Sequence, residues 1–275
     1  MAKIILITGA SSGIGKATAL KLLERGHTVY GAGRHVKRMD DLEESGGYAL
    51  QMDVTDEKSV EKAVAQVIKE QGRIDVVFNN AGYGVYGTIE DLPMEDIKGQ
   101  FDVNVFGQAR VLKAVLPHMR RQKSGLIINM SSVVGQVSLA ISGWYAATKH
   151  AVEAMSDALR QEVKHLGINV IIIEPGAVKT GFDDSAFEVL DRKGYSEEYA
   201  DIAVNFRRFM TEKYDKCEGP ERTADIIVGA IESKNPKTRY KTTGDAKRYI
   251  LMKKLLPDTM FDSMILDSSK KPSEK

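Results

Sequence analysis

Tyr145 and Lys149 stand four positions apart in "GWYAATKHAV", residues 143–152. On a helix that spacing places a phenol and an ammonium one turn apart on the same face. A phenol can give or take a proton, although with an unperturbed pKa of about 10 it is a poor base at neutral pH. A cation one turn away can lower that value. The same spacing recurs at Tyr249 and Lys253 in "RYILMK", so spacing alone does not identify a catalytic pair. Flanking residues separate the two. Ser132 lies thirteen positions before Tyr145, at the end of the run "GLIINMSS"; thirteen positions before Tyr249 lies Pro236, with no such run ahead of it.

The elements that must position these residues follow from the hydrophobic pattern. Short Ile- and Val-rich runs begin at Lys3 ("KIILIT"), His27 ("HTVYGAG"), Gly47 ("GYALQM"), Asp75 ("DVVFNN"), Gly125 ("GLIINMSS") and Asn169 ("NVIIIEP"). Each has core-strand composition and length. Between them, "GKATALKLLERG" and "DEKSVEKAVAQVIKEQG" carry apolar residues at helical spacing, with Val60, Val64, Val67 and Ile68 on one face and glycine at the ends. Strands alternating with crossover helices predict an α/β fold: a doubly wound, Rossmann-type parallel sheet with helices on both faces. Beyond Pro175 the rhythm changes to aromatic and Met-containing helical segments, a strand near "TRYKTT", and a final stretch "YILMKKLLPDTMFDSMIL". Residues 1–275 read as a single domain, with a helical C-terminal substrate cap and extension over about residues 183–275 and a disordered tail over about residues 267–275. Ligands bind beyond the carboxyl ends of parallel strands, which puts Ser132 beside any cofactor.

A glycine-rich turn, "TGASSGIGKATAL", follows the first strand, with Gly9, Gly13 and Gly15. Such a turn lets a pyrophosphate approach the free N–H groups of a helix N-terminus. At the end of the second strand, where an acid would accept hydrogen bonds from the adenosine ribose, the sequence has Gly33 and then Arg34. No carboxylate is there to repel a 2'-phosphate, and a guanidinium can bind one bidentately. This predicts NADP(H) over NAD(H), with Lys37 and Arg38 as helpers, and leaves Asp40 and Asp41 to start the next helical turn.

Taken together, "TGASSGIG", "DVT" from Asp53, "NNAG" from Asn79, Asn104 in "VNVFG", Ser132, "YAATK" and "PGAVKT" from Pro175 resemble the short-chain dehydrogenase/reductase family over roughly residues 3–182. The length of the tail and "GYGVYG" are similar to its hydroxysteroid- and retinol-dehydrogenase-like branch. The resemblance implies an NADP(H)-dependent oxidoreductase moving hydride between nicotinamide and an apolar ketone, aldehyde or secondary alcohol. Its catalytic residues would be Asn104, Ser132, Tyr145 and Lys149. Tyr145 would exchange a proton with the substrate oxygen and Ser132 would hold and polarise that oxygen. Lys149 would lower the phenol pKa and bind the nicotinamide ribose, and Asn104 would position a relay water. Cofactor contacts are implied at Gly9, Ser11, Ser12, Gly13, Ile14, Gly15, Arg34, Asp53 (to the adenine amino group), Val54, Asn80, Ala81, Gly82, Tyr145, Lys149, Pro175, Gly176, Val178 and Thr180. Thr8 and Asn79 stay open between cofactor and structural roles. The alternative reading is a catalytically silent dinucleotide sensor or scaffold, in which Tyr145, Lys149 or Ser132 would be expected to be replaced. A sugar-nucleotide epimerase would carry a different glycine loop and a larger C-terminal domain.

The composition narrows the partners. A net charge of +1 over 275 residues gives no whole-chain reason to expect nucleic acid or an anionic membrane. No apolar run approaches a membrane span. The single cysteine, Cys217, excludes an intrachain disulfide, reads as a polar-loop residue and fits a cytoplasmic protein. The five histidines show no metal-ligand spacing, so no metal is expected. Phe182, Phe187, Val189, Leu190, Phe206, Phe209 and Met210, with Val85 and Tyr86, could form a lid over a pocket for an apolar small molecule. Met252, Met260, Phe261, Met264 and Ile265 would cap the pocket, pack behind it or touch a membrane, the last disfavoured for want of a strong basic face. The family resemblance implies a homodimer or homotetramer through the helices carrying Asn104 and Tyr145.

Overall fold

In the computed structural model, which describes residues 1–269, every one of the Ile- and Val-rich runs lies in a single parallel sheet. The first half of the chain gives β1 (Ile4–Thr8), α1 (Gly13–Glu24), β2 (Thr28–Gly33), α2 (Asp40–Glu44), β3 (Tyr48–Gln51), α3 (Glu57–Gln71) and β4 (Val76–Asn79). Then come α4 (Met94–Phe101), a π-helical stretch over Asp102–Gly107, α5 (Gln108–Gln122), β5 (Gly125–Met130), α6 (Gly143–Val163) and β6 (Ile168–Glu174). The remainder is α7 (Phe182–Lys193), α8 (Ala200–Asp215), α9 (Glu221–Glu232), β7 (Arg239–Lys241), α10 (Gly244–Leu255) and α11 (Asp258–Ser269). Strand order is β3-β2-β1-β4-β5-β6-β7, all neighbours parallel. The chain winds outward from β1 to β3, then returns across β1 to β4; that reversal opens a crevice at the carboxyl ends of β1 and β4.

Alternation along the strands explains why both faces are covered. Leu6, Val77, Ile127 and Val170 face α3, α5 and α6 in one core, while Ile5, Ile7, Phe78, Ile128 and Ile173 face α1 and α9 in the other. Ile5, Leu6 and Ile7 are fully buried, and each such side chain stabilises the fold by roughly 1.5–3 kcal/mol. Local signals set the helix ends: the Asp56 carboxylate accepts from Lys58 N at 3.0 Å, and Gly72 closes α3 at a φ of 73°.

A third core belongs to the C-terminal region. Phe187, Phe206, Met210, Tyr214, Tyr249 and Phe261 pack against Tyr86, Val134 and Tyr145. This is the helical cap over the carboxyl-end crevice. Phe261 is buried, with Met252, Met264 and Ile265 packed against the same cluster, so α10 and α11 back the cap, whereas Met260 is exposed. Val85 and Val189 pack apart from it, with Leu92 and Ile97. Cys217 is half-buried on the cap core, its thiol donating to Tyr214 O at 3.1 Å, not a solvated loop residue. Asp267–Ser269, expected in a disordered tail, lie in α11; the rest of that expected tail, 270–275, is outside the described residues. No helix among the described residues is long and apolar enough to cross a membrane.

Candidate active site

The glycine turn, the ends of β2 and β3, the "NNAG" segment, Ser132, α6 and the loop after β6 converge on one cleft of about 850 Å³. That volume lies within the usual range for ligand sites. Seventeen of the expected residues meet there. Gly9, Ser11, Ser12, Gly13 and Ile14 form the rim at the start of α1. Arg34, Asp53 and Val54 close one end, and Asn80, Ala81 and Gly82 line the middle. Tyr145, Lys149, Pro175, Gly176, Val178 and Thr180 complete the wall. Ser132 stands with Tyr145 at the far end and makes the eighteenth.

Two expected residues do not line it. Gly15 is buried under the turn, where a Cβ would run into the Asn80 amide and the Gly9 carbonyl; its role is close packing of helix on loop. Asn104 is fully buried in the π-helical stretch. Its Nδ2 donates to Tyr83 O at 2.8 Å and Thr148 Oγ1 at 3.1 Å, and its Oδ1 accepts from Tyr83 N at 3.0 Å. These side-chain bonds brace "NNAG" against α6. Thr8 and Asn79 are structural by the same test. Thr8 Oγ1 accepts from Asn80 N and Ala81 N, both at 3.0 Å, and the Asn79 amide donates to Asn129 Oδ1 at 2.9 Å between β4 and β5.

The dinucleotide half of the cleft is shaped for an anion. Gly9 and Gly13 hold φ of +66° and +55°, and side chains there would meet Ala81 at 2.9 Å and Thr180 at 3.1 Å. Ser12 starts α1 without spending its side chain on a cap, and no acidic residue occupies the first turn. At the β2 end Arg34 is exposed and without a hydrogen bond or ion pair among the described residues; Arg38 also lines the cleft, and Lys37 does not. Burial raises the Asp53 carboxyl, but hydrogen bonds from Thr55 N and Oγ1, at 2.9 and 2.7 Å, and the charges of Arg34 and Arg110 hold it below its ordinary value. Both bind Oδ1, and Oδ2 takes no hydrogen bond among the described residues.

At the chemical end, Lys149 Nζ is 5.8 Å from the centroid of the Tyr145 ring and donates to Met130 O at 3.0 Å. Lys149 is 3% exposed, and burial lowers its pKa to about 8 against the raising effect of Glu153. The expected lowering of the Tyr145 phenol does not prevail: burial and then Tyr86 raise it, and the nearby Ser132 hydroxyl opposes them without outweighing them. The reason is that the lysine is itself desolvated and turned to a backbone carbonyl. Ser132 begins a short turn in which its Oγ accepts from Val134 N at 3.3 Å, and Pro175 O accepts from Val133 N at 2.7 Å.

The substrate half is aromatic. Phe182 lies 5.3 Å from Tyr145 between ring centroids, and Tyr86 packs edge-on to Tyr145, Phe187 and Phe206. Lys213 and Tyr214 of α8 also line the cleft, and the sequence reading missed both. The signal was present: Phe206, Met210 and Tyr214 follow at four-residue steps on one helical face. Lys213 pairs with Asp245 at 2.8 Å. No cluster of three or more His, Cys, Asp or Glu suited to a metal ion occurs among the described residues.

A family profile described as short chain dehydrogenase matches residues 3–190. The chain is similar to a 3-ketodihydrosphingosine reductase of Bacteroides thetaiotaomicron, 40% identical over 260 residues and covering 94% of both chains. It is also similar to an NADPH-dependent 3-dehydrocapnine reductase of Ornithobacterium rhinotracheale, 32% identical with 98% of each chain covered. Among solved structures, a short-chain dehydrogenase from Streptomyces avermitilis superposes with a TM-score of 0.83 at 34% identity, over 97% of this chain and 95% of that one.

Proposed function

The chain belongs to the short-chain dehydrogenase family, and from that premise we propose that it reduces apolar, long-chain ketones with NADPH. It is an NAD(P)(H)-dependent oxidoreductase acting on carbonyl or alcohol groups. The observation that carries the cofactor preference is Arg34, an unpaired guanidinium at the end of β2 where a ribose-binding acid would otherwise stand. The substrate class is supported by the apolar wall of Tyr86, Phe182 and Met210 and by the names of two relatives, a 3-ketodihydrosphingosine reductase and a 3-dehydrocapnine reductase. The likeness to hydroxysteroid and retinol dehydrogenases enters this proposal only as a shared preference for apolar carbonyls.

The glycine turn and the N-terminus of α1 would hold the pyrophosphate, Arg34 the 2'-phosphate, Asp53 Oδ2 the adenine amino group, and Lys149 the nicotinamide ribose. When bound, NADPH supplies the hydride. Tyr145 then acts as general acid toward the carbonyl oxygen. Its raised pKa keeps the phenol neutral, which is the state a donor needs. Ser132, which lines the cleft with that phenol, fixes the substrate oxygen beside it. Asn104 acts as a brace, holding Tyr83 and Thr148 so that Gly82 can pass close to Lys149. α7 and α8 close the apolar side and exclude water. Phe106 and Met94, exposed on the helical segment carrying Asn104, support association of copies there; a light-scattering mass of one chain would refute that part.

An NADPH-oxidation screen over 3-ketodihydrosphingosine, steroid, retinoid, fatty-acyl and small aromatic carbonyls tests the reading. The highest kcat/KM is expected on the long-chain ketone. NADPH binding with no carbonyl reduced would favour a sensor instead.

A further inference from the structure

Behind the catalytic face, α6, β6 and β7 bury a second set of charges. Glu153, one helical turn beyond Lys149, is 6% exposed, and Glu174, the last residue of β6, is 0% exposed. Arg239 donates through Nε and Nη2 to Glu153 Oε2, at 3.1 and 3.0 Å, and through Nη2 to Asp157 at 2.6 Å. Glu174 receives no such bond: its Oε1 lies 3.4 Å from Arg239 Nε, an ion-pair separation only. Both Glu174 oxygens and Glu153 Oε1 are buried without a hydrogen-bond donor among the described residues. A carboxylate stranded in this way is strongly disfavoured and takes up a proton instead. The two carboxyl groups converge on one nitrogen: Arg239 Nε lies 3.1 Å from Glu153 Oε2 and 3.4 Å from Glu174 Oε1. As two anions they repel; with one proton between them the contact becomes a charge-assisted hydrogen bond that engages an orphaned oxygen on each side.

We propose that Glu153 and Glu174 share a single proton and act together as a positioning pair beneath Lys149, supporting its ammonium as that proton is lost. The pair also ties the site together. A Cβ on Gly135, in the turn that Ser132 begins, would lie 3.0 Å from Glu153 Cγ and 3.1 Å from Lys149 O. Glu174 runs directly into Pro175, whose carbonyl accepts from Val133 N. The helix carrying Tyr145 and Lys149, the Ser132 turn and the loop after β6 therefore meet at these two carboxyls.

The charged groups facing the pair are Lys149 and Asp157 on α6, the latter also bound by Arg160 at 2.6 Å, and Arg239 and Lys241 on β7. Burial first, and Glu153 second, push the Glu174 carboxyl up to about 7 against the lowering by Arg239 and Lys241. Lys149, lowered by burial to about 8, is raised by Glu153. The two titrations adjoin and oppose each other. As pH rises past about 7 the pair passes from one negative charge to two, which favours the ammonium just where burial would remove it.

The inference rests on Lys149 as the cation of the proposed site, and its tests need no substrate. In the full-length protein, infrared spectra should show a buried protonated-carboxyl stretch below pH about 7 that fades above it. The band should vanish in Glu174→Gln, and in Glu153→Gln it should persist but fade at a lower pH, because burial of Glu174 remains while the repulsion by Glu153 is gone. Lysine 13Cε NMR, with Lys149 assigned through Lys149→Met, should place the Lys149 midpoint lower in Glu174→Gln than in wild type, because the second negative charge never forms. Glu174 binds its proton more tightly folded than at its ordinary value of 4.5, so the stability it contributes is lost as pH rises from there to about 7. Glu174→Gln should accordingly gain Tm relative to wild type above pH about 7 and not below about 4.5. No protonated band below pH about 7, or a Lys149 midpoint unmoved in Glu174→Gln, would overturn the proposal. A band and a shift in a protein that reduces no ketone would uphold it while sinking the substrate reading.

Discussion

Tyr145–Lys149 and Tyr249–Lys253 share their spacing, both lie on helices, and the two tyrosines are almost equally buried, at 8% and 9% exposure. Their surroundings differ in every respect that matters for proton transfer. Tyr145 has Ser132 beside it and opens into the cleft, and its lysine is buried with a lowered pKa. Tyr249 sits inside the cap core under the Lys213 ammonium, 4.7 Å from its ring centroid. Lys253 lies over the Phe261 ring, 5.2 Å from its centroid, and pairs with Asp258 at 2.6 Å. Neither of them lines the cleft. A phenol and an amine one turn apart become an acid–base pair only where strand ends supply a partner hydroxyl and a place for substrate; elsewhere the same pattern is packing.

Exchanging each lysine for a residue of similar length breaks the comparison most sharply. Lys149→Met should lower kcat/KM by about 10²–10⁴-fold with the fold intact by circular dichroism. Lys253→Met should leave kcat/KM within about twofold, because its partner contact is on the surface. The second region should fail in stability instead. Phe261→Ala, which empties a site 1% exposed beside Tyr249 in the cap, should cost about 3–5 kcal/mol in denaturant unfolding. The folded protein should keep its kcat/KM within about threefold. A smaller effect tests why the first region has its context at all: Arg34→Ala should weaken NADPH by about 1.5–3 kcal/mol and leave NADH unchanged. Equal losses for both cofactors would remove phosphate recognition from Arg34.

Much of this was legible in the sequence because it is local or periodic. The alternation of buried runs gave all six early strands, and "TRYKTT" the seventh, since a parallel sheet covered on both faces demands such runs. The Ser132–Tyr145–Lys149 constellation was legible because strand end and helix lie close in sequence. What could not be read is where long-range contacts decide. Asn104 was expected to position a relay water, and its amide also braces Tyr83 and Thr148, a role that the π-helical stretch sets and no motif announces. Gly15 was expected among the cofactor residues; Asn80, 65 positions away, packs over it, a contact that local spacing does not reveal. Lys149 was expected to depress the phenol, and burial, a property of the whole fold, outweighs it. The Glu153–Glu174 pair joins residues from separate elements and carries no motif.

The most direct test of the central claim places Tyr145→Phe beside Tyr249→Phe, measuring ketone-dependent NADPH oxidation and NADPH affinity in both. The account predicts that Tyr145→Phe loses about 10²–10⁴-fold in kcat/KM while its NADPH Kd stays within about threefold, and that Tyr249→Phe changes neither. Equal losses of turnover in the two variants, or full turnover in Tyr145→Phe, would contradict it.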